Sequence, residues 1–375
     1  MFAKEGLEGV VAARTSICLI KGAEGSKAAL EYRGYSIHDL ANHCGFEEVA
    51  YLLWYGALPS ADELRDFSRL MRANRTLPVR VSRALASILR DLTPIDALRT
   101  AVSILSADDP DTADNSPAAN VRKGVRLTAQ MPSIVGAHHR LAMGLKPLAP
   151  DSTLNHAANF LYLVKGKRPR ELEARALEAA MILEADHGLN PSTFAARVAA
   201  GTLADLHSAV VAALATLKGP LHGGAAAQVL AMLHAVGDAS NAAGFVRKAL
   251  AAHTHVAGFG HRIYKGDDPR AIDLKRWCER LAGKGEALRL FDCAKAIERE
   301  VRKRVPIAPN VDFYAAPLWS MLGFQPDTFA PVFACARIAG WVAHVAEQHI
   351  DNRLIRPEEE YIGPLSRPFI PIDQR

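Results

Sequence analysis

The sequence predicts a mainly α-helical protein with a small β segment at its N-terminus. Apolar residues recur at helical spacing through most of the chain, and alanine is abundant on the same stretches. Small side chains let helices approach closely, which favours several packed layers of helices. Turns are expected at Gly22 and Gly25. The β-favouring residues before these turns are Val10, Val11, Thr15, Ile17, Cys18, Leu19 and Ile20.

The helical pattern is clearest in four stretches, one of which is broken near Gly45. They are residues 36–53, 171–183, 206–217 and 329–350. Polar segments rich in Asp and Pro link other parts of the chain at residues 107–118 and 146–152. No G-x-G-x-x-G follows a strand and no Walker loop occurs, so nucleotide-binding α/β folds are not indicated.

Composition and charge limit the classes of partner. The chain has 375 residues, of which 49% are hydrophobic, which is enough for a large core. Its formal charge of +5 is spread without a basic block, so no nucleic-acid partner is expected. No apolar run reaches the roughly 18 residues that a membrane span needs, so no membrane partner is expected either.

The cysteines and the N-terminal residues indicate a compartment. Five cysteines are scattered without a C-x-x-C, which favours reduced thiols and a cytoplasmic location over a disulfide framework. The N-terminal residues contain no long apolar run, so we expect no signal peptide. No H-E-x-x-H motif and no Cys/His quartet is present, so we expect no metal site.

Two segments place a histidine between helices. His187 lies in residues 184–194, where one helix is expected to end and another to begin with Ser192 as its N-cap. His222 lies in residues 219–224, where glycines let a ligand approach the backbone and a helix N-terminus favours anions. From spacing alone, His187 fits a helix C-cap residue and His222 fits part of a simple interhelix turn.

Two later segments add basic and acidic groups. Residues 257–270 combine glycines with His261, Arg262 and Arg270, a chemistry suited to phosphates or carboxylates, although a solvated basic loop fits the pattern too. Asp312 lies among apolar and aromatic residues in 309–314, where a carboxylate can be a tuned base or a helix N-cap.

Together these segments resemble the citrate synthase family. The resemblance rests on GPLHGG at 219–224, GFGHRIYKGDDPR at 258–270 and PNVDFY at 309–314, and it extends over most of the chain. The pattern is most similar to the shorter bacterial and archaeal type, which includes 2-methylcitrate synthases. The resemblance implies a nearly all-α homodimer with a large domain, 1–223 and 324–375, and a small domain, 224–323, that closes over the substrates.

The resemblance also implies a role for each matching residue. In the family pattern, His222 hydrogen-bonds the thioester oxygen of an acyl-CoA, Asp312 removes the α-proton, and His261 polarises the keto group of a 2-oxo acid. The oxo acid is expected to contact His187, Arg270 and Arg337, and Arg356 of the partner subunit. The coenzyme A site is expected to include Gly258, Phe259, Gly260, Arg262 and Lys265. No metal or redox cofactor is implied, and the coenzyme A thioester is a co-substrate.

This chain departs from the family pattern at several positions. Gly188 follows His187 where the family usually has a polar residue, and Ala225, Ala226 and Ala227 follow the HGG motif. Ala315 replaces a frequent Ser, and the early Ile-Asp-Gly has Lys21 in place of Asp. Citrate synthase is the leading hypothesis. The alternatives are 2-methylcitrate synthase, a catalytically silent helical dimer and a metal hydrolase.

Overall fold

Helices make up nearly all of the regular structure in this computed structural model, which describes residues 5–7, 9–22 and 28–375. The α-helices of these residues are α1 (Ile37–His43), α2 (Phe46–Tyr55), α3 (Ala61–Ala73), α4 (Val79–Ala86), α5 (Pro94–Leu105), α6 (Pro117–Ala142), α7 (His156–Lys165), α8 (Glu171–Glu184), α9 (Pro191–Gly201), α10 (Leu206–Leu217), α11 (Ala225–Val236), α12 (Ala242–Ala251), α13 (Pro269–Leu281), α14 (Glu286–Arg302), α15 (Val311–Met321) and α16 (Phe329–Ile350). The predicted helical class and the four predicted stretches are therefore confirmed.

A small antiparallel sheet precedes the helices. Its strands β1 (Cys18–Lys21), β2 (Ala29–Tyr32) and β3 (Tyr35–Ser36) pair in chain order, with Cys18 opposite Tyr32. The prediction of a strand over Val10, Val11 and Thr15 was wrong, because these residues precede β1 and are largely exposed. Gly25, where a turn was predicted, lies outside the described residues.

Helix α16 forms the centre of the large helical array. It packs against α2, α6, α8, α9 and α10, and it buries Arg337 and His344 among its apolar side chains. Among the described residues, the segment Pro326–Ile350 has the length and apolar composition of a membrane span, and the bent pair of α11 and α12 does so if counted together. However, 89% of the most apolar window of Pro326–Ile350 is buried, as in the core helix of a folded domain.

The N-cap of helix α9 differs from the sequence prediction. Helix α9 begins at Pro191 with Asn190 as its N-cap, since Asn190 Oδ1 accepts from the Thr193 amide at 3.2 Å. The prediction that Ser192 caps this helix was therefore wrong. Proline at the first helical position needs no amide partner, so Asn190-Pro191 is a strong start signal, and it leaves the Ser192 hydroxyl for other contacts.

The predicted domain boundaries fall at helix ends. Gly224 directly precedes α11, and Gly323 follows α15 in the left-handed region at φ 91°. The segment between them contains α11 to α15, which pack mainly on one another, while α13 also contacts α1 and α8 of the other part. The division into two domains that close on each other remains a prediction.

Candidate active site

Loops and helix ends meet around one cavity of about 310 Å³. Its walls come from the segment after α8, the loop between α10 and α11, the loop before α13, and the starts of α13 and α15, with α16 beside them. The fold thus joins all four segments that the sequence singled out. The predicted site residues that line the cavity are His187, His222, Gly260, His261, Arg262, Arg270, Asp312 and Arg337.

Asp312 borders the cavity at the start of α15. The helix is capped by Asn310, whose Oδ1 accepts from the Asp312 amide at 3.1 Å, so the Asp312 carboxylate is not the cap. Burial raises the pKa of Asp312 to about 6, although Arg270 and Arg337 act in the opposite direction. A carboxylate with this pKa is a stronger base than an exposed one and is still mostly ionised at pH 7.

His222 reaches the cavity from the loop between α10 and α11. Its backbone amide donates to Gly219 O at 2.9 Å, and its Nε2 lies 2.9 Å from the hydroxyl of Ser192. The same hydroxyl oxygen accepts from Trp341 Nε1 at 3.3 Å. Burial, with a further contribution from Arg337, lowers the pKa of His222 to about 4, so the ring is neutral near pH 7. The Ser192 hydroxyl has one proton and also lies 2.7 Å from Asn190 Oδ1, so it donates either to Asn190 or to His222. When it donates to Nε2, the ring proton is on Nδ1.

His261 is held by the backbone of its own loop. Its Nδ1 accepts from the amides of Ile263 at 3.0 Å and Tyr264 at 3.1 Å. An acceptor nitrogen carries no proton, so the neutral ring has its proton on Nε2. Burial, helped by Arg270, lowers the pKa of His261 to about 4. His261 is therefore a neutral hydrogen-bond donor.

His187 follows α8 and is almost completely buried. Its Nε2 lies 3.1 Å from the hydroxyl of Tyr264, and its ring makes an edge contact with His261 at 5.2 Å between centroids. Burial, with contributions from Arg270 and His261, lowers the pKa of His187 well below the ordinary histidine value. The cavity therefore contains three neutral imidazoles beside cationic guanidinium groups.

Two buried arginines supply the positive charge. Arg270 forms a bidentate ion pair with Asp268. Its Nε donates to Oδ1 at 3.0 Å, and an η nitrogen donates to Oδ2 at 2.7 Å. Burial lowers the pKa of Arg270, but Asp268 outweighs that effect and the net pKa is raised. Asp268 also accepts from the Val311 amide at 3.1 Å, which connects the starts of α13 and α15.

Arg337 projects from α16 and is buried with one donor uncommitted. Its Nε donates to Glu184 O at 2.7 Å, and its guanidinium lies 4.6 Å from the ring centre of Phe333. One of its η nitrogens has no hydrogen-bond partner among the described residues. A buried unpaired guanidinium donor is costly, and an anionic ligand in the cavity would satisfy it.

Four predicted residues do not line this cavity. Phe259 is buried, with its ring 4.7 Å from that of Phe313, and Gly258 packs against the same Phe313 side chain. Lys265 is exposed. Arg356 is 65% exposed, and it contacts its own neighbours Pro357 and Glu359 in the C-terminal segment. Within one chain, therefore, Arg356 does not join the other site residues.

Sequence reasoning missed several groups that the cavity depends on. Ser192 and Tyr264 lie inside the recognised segments, and their hydroxyls orient His222 and His187. Asp268 was read only as part of the DPR motif, yet it fixes Arg270. The sequence did offer a signal for these groups. Each is a hydroxyl or carboxylate side chain that lies one to six residues along the chain from a candidate histidine or arginine.

Glu184 was not singled out either. It is 1% exposed at the end of α8, and its Oε1 has no hydrogen-bond partner among the described residues. Burial raises its pKa well above the ordinary glutamate value, and the negative charge of Asp312 adds to the effect. Two neighbouring carboxyl groups in a buried site do not both ionise easily, so the charge of Asp312 disfavours ionisation of Glu184.

The departures from the family pattern have local explanations. Gly188 adopts φ 53°, and a Cβ there would lie 3.2 Å from Ile20 Cδ1, so a larger residue would be strained in this chain. Ala226 lines the cavity and is 2% exposed, while Ala315 is completely buried in the core. Of these three residues, only Ala226 lines the cavity, and it adds an apolar group to the wall that includes His222.

The fold and the cavity together define a class of enzyme. A mainly helical protein presents a carboxylate base, neutral imidazole donors and two guanidinium groups in one cleft. This arrangement suits proton abstraction from one substrate beside a second, anionic substrate. Among the described residues, no group of three or more His, Cys, Asp or Glu side chains is placed to hold a metal ion.

Comparison with known proteins identifies the family. The profile described as "Citrate synthase, C-terminal domain" matches residues 6–358. The citrate synthase of Haloferax volcanii is 44% identical over 99% of both chains. A 2-methylcitrate synthase of Mycobacterium tuberculosis is 43% identical over 96% of this chain and 90% of its own. The chain belongs to the citrate synthase family, and it is an acyltransferase of the citrate synthase type.

Solved structures agree with this assignment. The crystal structure of citrate synthase from Pyrobaculum aerophilum is 38% identical, with a TM-score of 0.92 over 99% of this chain and 95% of that one. The citrate synthase of Thermoplasma acidophilum, solved as a ternary complex, is 31% identical, with a TM-score of 0.92 over 99% of this chain and 98% of that one.

The two ligands of that complex are carboxymethyl coenzyme A and oxaloacetate.

Proposed function

We propose that the protein condenses acetyl-CoA with oxaloacetate and hydrolyses the resulting thioester, giving citrate and free coenzyme A. The observation that carries the proposal is the cavity in which Asp312, with its pKa raised to about 6, meets the neutral rings of His222 and His261. Family membership supports the same reaction, because full-length relatives carry the name citrate synthase.

The first step is removal of a proton from the α-carbon of the acyl-CoA. Asp312 accepts this proton, and the electron pair of the broken C–H bond moves into an enolate. A thioester α-proton is a very weak acid, so the enolate oxygen needs a preorganised donor, which is His222. Loss of one such donor typically costs about 2.7–4 kcal/mol of barrier. Ser192 supports this role when it donates to Nε2 and leaves the Nδ1 proton for the thioester oxygen.

The second step is attack of the enolate carbon on the keto carbon of the oxo acid. A carbon–carbon bond forms, and the keto oxygen becomes an alkoxide that takes a proton. His261 is the donor for this oxygen, since its Nδ1 is occupied by two amides and its proton is on Nε2. Arg270, Arg337 and His187 hold the carboxylates of the oxo acid, where planar guanidinium groups bind with two hydrogen bonds.

The third step is hydrolysis of the thioester, in which water replaces the coenzyme A sulfur at the acyl carbon. The loop from Gly258 to Lys265 supports a coenzyme A site, because Gly260 and Arg262 border the cavity and Lys265 is exposed on the same loop. Lys265 and Arg262 are the cations assigned to the coenzyme A phosphates. No metal or redox cofactor takes part in this scheme.

A second candidate reaction uses propionyl-CoA and gives 2-methylcitrate. The apolar wall of the cavity favours it, because Leu217, Leu221, Ala226, Phe329 and Phe333 surround the position beside His222. One additional methylene group is worth only about 1–3 kcal/mol in such a pocket. The relative rates with the two acyl-CoAs therefore decide between the reactions.

The working enzyme is proposed to be a cytoplasmic homodimer. The C-terminal segment after α16 has no long helix and carries large exposed apolar side chains, including Tyr361, Ile362 and Phe369, which a second subunit would cover. In this assembly Arg356 completes the oxo-acid site of the partner subunit. All five cysteines are free thiols, which supports a reducing compartment.

The test of the proposed reaction is release of coenzyme A thiol, followed with a thiol-reactive dye. Purified protein should release thiol from acetyl-CoA only when oxaloacetate is present, and a chelator should have no effect. A kcat/KM that is clearly higher for propionyl-CoA would replace the first reaction with the second. No release with either acyl-CoA and any 2-oxo acid would favour a silent binding protein, and loss of activity with chelator would favour a metal hydrolase.

The role of Asp312 is tested by substitution. Asp312→Ala should abolish thiol release but leave oxaloacetate binding measured by calorimetry largely intact, because the base does not hold the oxo acid. Loss of that binding would contradict the assignment.

The role of Arg356 is tested by mixing subunits. Arg356→Ala and His222→Ala homodimers should each be nearly inactive, but refolded mixtures should recover activity, since one site of each heterodimer has neither change. If no mixing ratio restores activity, the cross-subunit role is wrong.

A further inference from the structure

We infer that Tyr264 is a positioning residue that fixes the orientation of both histidines of the oxo-acid site, and that its hydroxyl orients His187 for that substrate. The inference rests on the proposed function, which assigns His187 and His261 to the oxo acid. Tyr264 is 2% exposed, so its side chain has a fixed, buried place behind the cavity rather than a place on the surface.

Tyr264 makes a separate contact with each histidine. Its hydroxyl lies 3.1 Å from His187 Nε2, and its backbone amide donates to His261 Nδ1 at 3.1 Å. Its ring lies 4.6 Å from the His261 ring at 30°, which is a tilted stack. One residue therefore occupies one nitrogen of each imidazole and leaves the other nitrogen of each ring for different partners.

The tyrosine hydroxyl suits a neutral histidine. Burial raises the pKa of Tyr264, so the phenol is protonated at the pH where the enzyme works, and burial keeps His187 neutral. A phenol that donates to Nε2 fixes the His187 proton on Nδ1 and fixes the ring plane. The same contact cannot be made by phenylalanine, which keeps only the ring.

The N-terminal sheet supports Tyr264 from behind. Gly22 follows β1, and a Cβ at this position would lie 2.6 Å from Tyr264 Cδ1 and 3.1 Å from its Cα. The Lys265 amide donates to Gly22 O at 3.3 Å, which attaches the loop to the sheet. An alanine at position 22 would have to displace Tyr264, although it would remove no polar group from the cavity.

The experiment compares Tyr264→Phe with wild type and with Tyr51→Phe. Tyr51 is a matched control because its hydroxyl also makes one hydrogen bond, to Glu63 at 3.1 Å, and it does not line the cavity. Loss of one oriented hydrogen bond should raise the KM and the calorimetric Kd for oxaloacetate about tenfold. The KM for acetyl-CoA should stay within about twofold, and kcat should fall less than about threefold, since His261 keeps its amide donors and its stacked ring.

Gly22→Ala tests the support independently. It should raise the oxaloacetate KM in the same direction as Tyr264→Phe, and Tyr264→Phe should keep the thermal midpoint of Tyr51→Phe. Unchanged oxaloacetate KM and Kd in Tyr264→Phe would overturn the inference. An equal loss for oxaloacetate and acetyl-CoA would also overturn it, because that pattern marks general damage to the fold.

Failure of the proposed function gives a different result. Wild-type protein that releases no coenzyme A thiol would refute the reaction, whatever Tyr264 does. Calorimetric binding of oxaloacetate still reports on positioning in that case: weaker binding in Tyr264→Phe supports the inference, and equal or absent binding in both proteins refutes it.

Discussion

The acid side of the pH profile should report the ionisation of Asp312. Burial raises the pKa of this carboxyl to about 6, and only its ionised form can accept the α-proton. The ionised fraction is about 0.99 at pH 8, 0.9 at pH 7 and 0.1 at pH 5 for this pKa, so kcat/KM should fall about elevenfold between pH 8 and pH 5. An unshifted aspartate would lose only about a tenth of its ionised form over the same range.

Other groups at the site should not produce this change. The pKa values of His222 and His261 are lowered to about 4, so both rings stay neutral above pH 5. Two further groups need controls, namely Glu184 beside Asp312 and His38 outside the cavity. The hydrogen bond to Asp273 raises the pKa of His38, and burial raises that of Glu184.

The assay is initial-rate thiol release at limiting acetyl-CoA, measured from pH 5 to pH 8.5 at constant ionic strength. His38→Gln and Glu184→Gln should both keep a midpoint near pH 6, since neither residue is the base. Disappearance of the acid limb in Glu184→Gln would assign the titration to that residue. A wild-type midpoint at or below about pH 4 would refute the conclusion that burial tunes Asp312.

Three other changes have definite expected outcomes. Ser192→Ala should lower kcat about fivefold with little change in the oxaloacetate KM, because His222 loses one orienting hydrogen bond; steady-state kinetics would contradict this if only KM changed. Arg270→Lys keeps the charge but loses the bidentate ion pair with Asp268, so the oxaloacetate Kd measured by calorimetry should rise about thirtyfold or more. Asp312→Asn should stabilise the protein by roughly 1–2 kcal/mol at pH 8 in denaturant unfolding, after allowance for solvent at the cavity, and by much less at pH 4.

The sign of the last effect follows from the raised pKa. The unfolded carboxyl ionises near pH 4 and the folded one near pH 6. Asp312 therefore favours the folded state only below the unfolded pKa, and this contribution is lost as the pH rises through about 4 to 6. Asparagine does not ionise, so it avoids the cost of a buried charge. Equal stability of the two proteins at pH 8 would contradict this reasoning.

Much of the helical framework could be predicted from periodicity and punctuation. Helix α16 begins and ends at the predicted residues 329 and 350, and α10 at 206 and 217. The predicted strand failed before Cys18, because β-favouring residues form a strand only where a partner strand pairs with them. Of the described residues that precede β2, only 18–21 pair with it. The cap of α9 was misassigned because Asn190 and Ser192 are both good caps, and the proline between them decides where the helix begins.

The sequence by itself determined the helical class, the family and the chemical types at the site. Those features depend on local spacing and on side-chain chemistry, which the order of residues carries directly. Only the tertiary structure decided that Ser192, Tyr264 and Asp268 orient the candidate histidines and arginine. It alone gave the raised pKa of Asp312, because desolvation depends on which distant segments bury a group, and no spacing along the chain encodes that.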